Sequence, residues 1–452
     1  VIRVTSEMDL KLVAREIFDA ALSAVDAGGA VQRSVSIDQT PLVIGETSLE
    51  VSSIGVYVIA IGKAAVPMTL ALEHILTDRI SGGLIVGSLS ERAGHLDQSR
   101  WRVIEGAHPL PDESSLEAAR AAFAILQRAD AERAPVIFLI SGGGSAMIEW
   151  PVEESISLAD LREASSLLIS LGLNIREINC VRRAFSAVKG GRLASHAPDS
   201  DQVSLIISDT GRGDEATVAS GPTIAQITSL AELESIIERY GLDRRLPASV
   251  LRAIRQHATD DDEPLVKAAR DHYVLLDNDT AINAAANEAR SRGFVVEIAD
   301  DIVEQDVEAG CELMLQRVAA LRLRAGDYAR VCLISGGEFS CPVRGRGVGG
   351  RNAETVLRFA MRIARAGHTD SQRLVILSAG TDGIDGNSPA AGAVADETTI
   401  ARANELDLDS KSYLDRSDSF SFFNALGDAV VTGPTGTNVR DLRIVVADSG
   451  SH

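Results

Sequence analysis

The chain has 452 residues, 45% of them apolar and only 4% aromatic, and carries a formal charge of −20. That length predicts two or three domains, and the aliphatic composition predicts layered α/β packing rather than an all-β or disulfide-built fold. The acidic balance argues against nucleic acid as a partner, which needs a basic surface, but allows a small anion in a locally positive cleft.

Cys180, Cys311, Cys332 and Cys341 stand singly, without zinc spacing. Free, mostly buried thiols and a reducing cytoplasm are therefore expected. No apolar run approaches the ~20 residues of a membrane span. The opening VIRVTSEMDLKL lacks the apolar centre of a signal peptide.

In chain order, a helix is expected from about Asp9 to Ala27, stopped by Gly28-Gly29. A strand around 57–62 leads into a helix from Ala64. Strands follow at 82–88 and 101–109. The run Ser114-Ser115-Leu116-Glu117 reads as a capping box opening a helix to about Ala129. The strand VIFLI (136–140) is followed by a helix capped at Ser157 and stopped at Gly172. A helix over 175–188 would carry Asn179, Arg182, Ser186 and Lys189 on one polar stripe. A strand is expected at 203–208. Periodicity fails over 241–266, where GLDRRLPAS and HATDDDEPL read as a linker. This divides the chain into domains 1–245 and 246–452. The second domain repeats the α/β alternation from HYVLLDN (272–278) to the terminal LRIVVAD, so two α/β domains with mostly parallel sheets are expected.

In such sheets ligands sit beyond the carboxyl ends of strands. Polar or glycine-rich tips are expected at Gly62-Lys63, Ser141 to Ser145, Ser208-Asp209, Ser335 to Glu338 and Thr381-Asp382. VIFLISGGG and VCLISGG both open a buried strand into bare glycines, whose N–H groups can face an anion. The second leads into CPVRGRGVGGRNAE, where Arg344, Arg346 and Arg351 stand among glycines.

Lys63 lacks the earlier glycine of a P-loop. It is either a lysine reaching an anion from a helix start or a solvated strand-end lysine. Gly345, Gly347 and Gly350 spell G-x-G-x-x-G, a weak dinucleotide signal; an anion-binding loop is favoured over a plain turn. Asp209, Asp214, Asp382 and Asp385 flank glycines in SDTGRGDE and GTDGIDG. They suit either a divalent cation bridging phosphates or ordinary turns. Arg182 and Lys189 could grip a carboxylate or line a solvated face. His108 is a base, a substrate donor or a loop histidine. These parts suit phosphoryl transfer, which needs donors and cations around phosphate oxygens, a metal and a positioned hydroxyl. No nucleophile elbow surrounds Ser145.

Taken together, IGKAAVPM, EGAHPLPDESS, SGGGSAM, EINCVRRAFSAVKGGRLA, SDTGRGDEATVASGPT, SGGEF, GVGGRNAE, AGTDGIDGNSPAAGAVAD and TGPTGTNVRDL resemble the class II glycerate kinases, the MOFRL family. The resemblance runs from about Leu10 to the last strand. It implies ATP-dependent phosphorylation of D-glycerate to 2-phosphoglycerate with Mg²⁺. It also implies a larger Rossmann-like N-terminal domain, a smaller C-terminal α/β domain and an active site in the cleft between them. The family's catalytic lysine and arginine correspond to Lys63 and Arg351, with Asp209 orienting Mg²⁺ or accepting the proton. On this reading ATP phosphates lie over Ser141, Gly142, Gly143, Gly144 and Ser145 and over the second loop with Gly337, Glu338, Arg344, Arg346, Gly350 and Asn352. The glycerate carboxylate meets Arg182 or Lys189. Metal ligands come from Asp209, Asp214, Asp382 and Asp385. A homo-oligomer is compatible with all of this.

The chain departs from the family at Glu105-Gly106-Ala107-His108-Pro109, at Thr210-Gly211-Arg212-Gly213-Asp214, where an acid is replaced by arginine, and at Ala353. The rival readings are a hydroxypyruvate reductase, which needs a nicotinamide site, and a non-catalytic sensor of sugar acids or nucleotides.

Overall fold

The computed structural model describes residues 8–37, 41–88, 94, 96–226, 229–257, 270–326, 329–366 and 373–448. The chain forms two compact units. One, the inserted unit, is Ala27–Leu276; the other, the flanking unit, joins Val1–Asp26 to Asp277–His452. The expected single cut at 245/246 is therefore corrected. The strand at 270–276 completes the first sheet, and the first helix packs on elements of the second.

That first helix, α1 (Leu10–Ala24), is capped by Asp9, whose carboxylate accepts from the amides of Lys11 and Leu12. The inserted unit follows with α2 (Ala27–Ser34), β1 (Val35–Ile37), β2 (Leu42–Ile44), β3 (Thr47–Leu49), β4 (Val56–Ile61), α3 (Ala65–Leu76), β5 (Ile80–Gly87), β6 (Trp101–Glu105) and α4 (Glu113–Glu132). It continues through β7 (Val136–Ser141), α5 (Gly144–Met147), α6 (Leu158–Ser170), α7 (Ile175–Arg183), β8 (Gln202–Ile207), α8 (Leu230–Tyr240), α9 (Ala248–His257) and β9 (Arg270–Leu276).

The main sheet has the order β6-β5-β4-β7-β8-β9, and every pairing is parallel. The central strands VYVIAI, VIFLIS and QVSLII are buried along their whole length, as strands covered on both faces must be. Counted within the sheet the order is 3-2-1-4-5-6, the doubly wound dinucleotide-fold arrangement.

Several expected boundaries shift. Gly28-Gly29 lies inside α2 rather than ending α1. Ala27, Ala30 and Val31 are buried there and α2 packs on α3, contacts that outweigh the ~1 kcal/mol cost of each helical glycine. The cap of α4 is Asp112, in a reciprocal box with Ser115. Part of the expected linker is α9, which buries Val250, Ala253 and Ile254 on one face; residues 258–265 of that linker lie outside the described residues.

The flanking unit continues with α10 (Asn278–Ser291), β10 (Val295–Ile298), α11 (Val307–Ala325), β11 (Val331–Gly337), α12 (Arg351–Ala366), β12 (Arg373–Gly380), β13 (Gly392–Asp396), α13 (Thr399–Glu405), α14 (Ser410–Asp415), α15 (Ser419–Leu426), β14 (Ala429–Val430) and β15 (Asp441–Asp448). Its sheet runs β10-β11-β15-β12-β13-β14. Only β10–β11 is parallel; the other pairings are antiparallel. The expectation of a mostly parallel second sheet is thus overturned, because the last strand inserts between β11 and β12 in the opposite sense.

The cysteines are free, with Cys180, Cys311 and Cys332 buried. Among the described residues no helix is long and apolar enough to cross a membrane.

Candidate active site

In the inserted unit the strand order reverses between β4 and β7, where an open α/β sheet leaves a crevice at the carboxyl ends of its strands. The loops on either side carry predicted residues. Gly62 ends β4 with φ +114, and a side chain there would meet the Ser141 carbonyl oxygen at 2.3 Å. Glycine is what lets the two loops close. The Lys63 amide then donates to the Gly142 carbonyl (3.0 Å), and the Ala64 amide to Ser141 Oγ (2.9 Å). The Lys63 side chain runs beside Gly143, whose added Cβ would sit 3.3 Å from Lys63 Cγ. Asp209, following β8, packs its carboxylate on Gly142 so closely that any side chain there would overlap it. Lys63, Asp209 and the 141–145 turn thus form one cluster. His108 lies within reach of the Lys63 charge. Burial first, and that charge second, push the imidazole below its usual range, so it is neutral at pH 7.

Beneath the turn lies a polar network. Ser145 Oγ is 2.6 Å from Ser220 Oγ and accepts from Arg182 Nη1 (3.2 Å), while Ser220 Oγ donates to Asn179 Oδ1 (2.7 Å). Ser220 holds φ +63 directly after Ala219 at φ +52, a left-handed pair that non-glycine residues seldom adopt. Arg182 is 8% exposed, and its Nε–H is buried without an acceptor among the described residues. No carboxylate there lies within ion-pair distance of it.

Lys189 behaves differently and corrects the expectation of a substrate contact. It is 1% exposed, pairs with Glu149 Oε2 at 2.8 Å and donates to the Ser145 carbonyl (2.8 Å), with Ser186 Oγ on the other Glu149 oxygen. The expected helix to 188 ends at Arg183, so Ser186 and Lys189 leave the polar stripe and turn inward as a buried anchor for α5.

In the flanking unit, β11 and β12 each pair antiparallel with β15, so Gly337 and Gly380 both lie opposite Asp441. Two strand ends and one strand start therefore share an edge, and α12 begins over it. The guanidinium of Arg351 donates through Nε to Asp441 Oδ2 (2.5 Å) and through Nη2 to Asp441 Oδ1 (3.1 Å). Its Nη2 also pairs with Glu338 Oε1 at 2.8 Å. Asp385 caps α12 from another loop, accepting from the amides of Asn352 (2.9 Å) and Ala353 (2.8 Å). Burial pushes its carboxyl up to about 7, against the helix amides.

Asn352 is 2% exposed and its Oδ1 accepts from Ser378 Oγ (2.6 Å), which braces α12 on the sheet. The Gly337 amide is likewise engaged, by Asn278 Oδ1 (2.9 Å).

The 344–350 loop is pinned through its own amides. Arg344 donates to Ser417 Oγ, Gly347 to the Arg416 carbonyl, Val348 to Asp418 and Gly349 to Asn387. The expectation of bare amides facing an anion is corrected at these four positions. Arg344 Nη1 pairs with Glu354 (3.0 Å). Arg346 is exposed and bonds to none of the described residues. With Gly347, Gly349, Gly350, Arg351 and Glu354 it lines a cavity of about 470 Å³. The G-x-G-x-x-G run does not open directly from a strand, since β11 stops at Gly337; that removes the geometry a dinucleotide turn requires.

Among the described residues no three His, Cys, Asp or Glu side chains converge as a metal cage. Asp214 is held in a two-point pair by Arg176 and Asp385 by α12, which corrects their expected role as open metal ligands. Asp209 sits on Gly142, and Asp382 accepts from the Ile384 amide. Sequence reasoning missed Asp441, Glu149 and Ser220. Each is a polar residue beside an apolar run, and only the topology brings it to its partner.

Two family models match: a domain of unknown function, DUF4147, over residues 13–255 and the MOFRL family over 331–441. The chain belongs to the MOFRL family. It is 34% identical to a glycerate 2-kinase of Pyrococcus horikoshii over 451 residues, covering 98% of each chain. It is 33% identical to a putative hydroxypyruvate reductase of Agrobacterium vitis, covering 98% of this chain and 95% of that one. The crystal structure of a glycerate kinase from Thermotoga maritima superposes with a TM-score of 0.80 at 29% identity, over 97% of this chain and 99% of that one. The Lys63 turn thus falls within the DUF4147 match and the Arg351 edge within the MOFRL match.

Proposed function

We propose that this chain is an ATP-dependent D-glycerate 2-kinase that forms 2-phosphoglycerate. The observation that carries the reading is the end-to-end likeness to a glycerate 2-kinase, 98% of both chains, with polar clusters at the strand ends of each unit.

The reaction needs cations and donors around the transferring phosphoryl group and a fixed acceptor hydroxyl. Lys63, above the 141–145 turn, neutralises charge that grows on the phosphoryl oxygens. Arg351 does the same. Asp441 and Glu338 take its Nε and Nη2, which leaves Nη1 as the outward donor. Arg182, whose buried Nε–H has no acceptor among the described residues, receives the substrate carboxylate beside the Ser145 hydroxyl. Arg346 meets a nucleotide phosphate. Asp209 orients Mg²⁺ or accepts the proton of the attacking hydroxyl.

The donor set suits Mg²⁺ that keeps phosphate and water ligands and takes one or two carboxylates. Asp209 of the inserted unit or Asp382 of the flanking unit would hold it, and the bound ion would neutralise phosphate charge.

Incubation with ATP, Mg²⁺ and D-glycerate, followed by phosphorus NMR, tests this. The 2-phosphate signal is expected; the 3-phosphate isomer overturns the regiochemistry, and absence of ADP overturns the kinase. The Agrobacterium vitis relative's name favours one second reading, hydroxypyruvate reduction. The glycine motif lacks its strand, so NADH with hydroxypyruvate is expected to show no absorbance change.

A further inference from the structure

A second basic site lies on the flanking unit, away from the Arg351 edge. Helices α11, α12 and α14 frame a cavity of about 250 Å³ lined by Arg358, Arg362, Arg365 and Lys411, with Glu308 on one wall and Met361 and Leu414 as apolar floor. Arg362 lies about 16 Å along α12 from Arg351, at ~1.5 Å of rise per residue.

Three features distinguish this cavity from a solvated helix face. Arg358 is only 8% exposed and is fixed by Glu354, to Nε (2.8 Å) and Nη2 (2.6 Å), and by Glu308. Arg362 shares Glu308 and has Glu312 3.9 Å from its Nε, so these two guanidiniums are held by carboxylates. Arg365 and Lys411 are exposed, and their side chains pair with no carboxylate among the described residues. Like charges four residues apart on a helix cost a few tenths of a kcal/mol, and Arg358 and Arg362 have that spacing. Burial, then the Arg362 charge, lower the basicity of Arg358. In a chain of charge −20, Glu308, Glu312 and Glu354 offset Arg358 and Arg362, and the positive charge left open at this concavity lies on Arg365 and Lys411.

We propose that this cavity binds a small organic phosphate: a dianionic head on the Arg365 fork and Lys411, and a short apolar body on Met361 and Leu414. Planar guanidiniums match phosphate oxygens two at a time. The volume lies just under the ~300–1,000 Å³ of ordinary small-molecule sites, which fits a fragment-sized ligand and excludes a nucleotide.

Calorimetric titration of the whole chain with phenyl phosphate, at constant ionic strength and with saturating AMP-PNP, tests the proposal. Saturable binding is expected, weakened by about tenfold or more in the R365A/K411A variant. Both side chains are exposed, so the fold tolerates the change. Turnover of ATP and D-glycerate by that variant is expected to stay within about twofold of the parent. Non-saturable heats, equal affinity in the variant, or binding abolished by AMP-PNP would overturn the site. So would binding of a long polyanion such as heparin with none of phenyl phosphate. Failure of the chain to turn over D-glycerate would bear on the kinase reading and leave the calorimetry intact.

Discussion

Arg351 and Asp441 meet in a two-point pair, Nε to Oδ2 at 2.5 Å and Nη2 to Oδ1 at 3.1 Å, although 90 residues separate them in the chain. Lysine at 351 keeps the charge but cannot reproduce the fork. R351K is expected to lower kcat about 10²-fold or more while KM for D-glycerate changes little. Steady-state kinetics with ATP and D-glycerate read this, and a kcat within a few-fold of the parent would show that the guanidinium takes no part in the transfer.

Lys63 lies on the glycine turn that Gly62 and Ser141 close. K63A removes one charge-stabilising donor and is expected to cost about 10²–10³ in kcat. Lys63 is half-buried at the turn, so thermal unfolding measured alongside separates a loss of fold from a loss of chemistry. Near-normal turnover would reject the assigned role.

Lys189 supplies the opposite case. With Glu149 it forms a buried ion pair, so K189M leaves a buried carboxylate uncompensated and is expected to destabilise the fold by about 3–5 kcal/mol. The E149Q/K189M double variant should recover most of that loss. Urea unfolding separates the outcomes: a K189M variant of full stability with raised KM would return Lys189 to the substrate site.

Asp385 carries a pH signature. Its carboxyl is raised to about 7 by burial, above the unfolded value near 3.8. The folded state therefore binds the proton more tightly, and Asp385 contributes stability that is present below pH ~4 and lost as pH rises through about 7. Stability of the parent relative to D385N is expected to fall across that window and level off above it. A flat difference between pH 4 and 8 in denaturant titrations would refute the assignment.

Much of the inserted unit was legible in advance, because continuous apolar runs ending in glycine are direct signs of buried parallel strands. The strand ends at Lys63, Ser141 and Asp209 came with them. The flanking sheet was not legible. Nothing in LRIVVAD says that it enters antiparallel between β11 and β12, yet that entry is what carries Asp441 to Arg351. The polar stripe Asn179, Arg182, Ser186 and Lys189 was also half right. The first two stay on α7 and meet the Ser145–Ser220 pair, whereas the chain turns after Arg183 and buries the others against Glu149. Helical spacing reports a face only while the helix lasts. Local chemistry missed α9 as well, since its apolar stripe follows a proline and charge-rich stretch that imitates a linker.

The split composition of the flanking unit sets an order of assembly. Helix α1 packs on α10, β12 and β15, which leave the ribosome some 250 to 420 residues after it. Residues 27–276 hold all the partners of their own sheet and can condense while synthesis continues. The first helix must wait unpartnered, its face of Val13, Ile17 and Phe18 open to solvent or chaperone, until α10 emerges, and its seat is complete only when β15 follows.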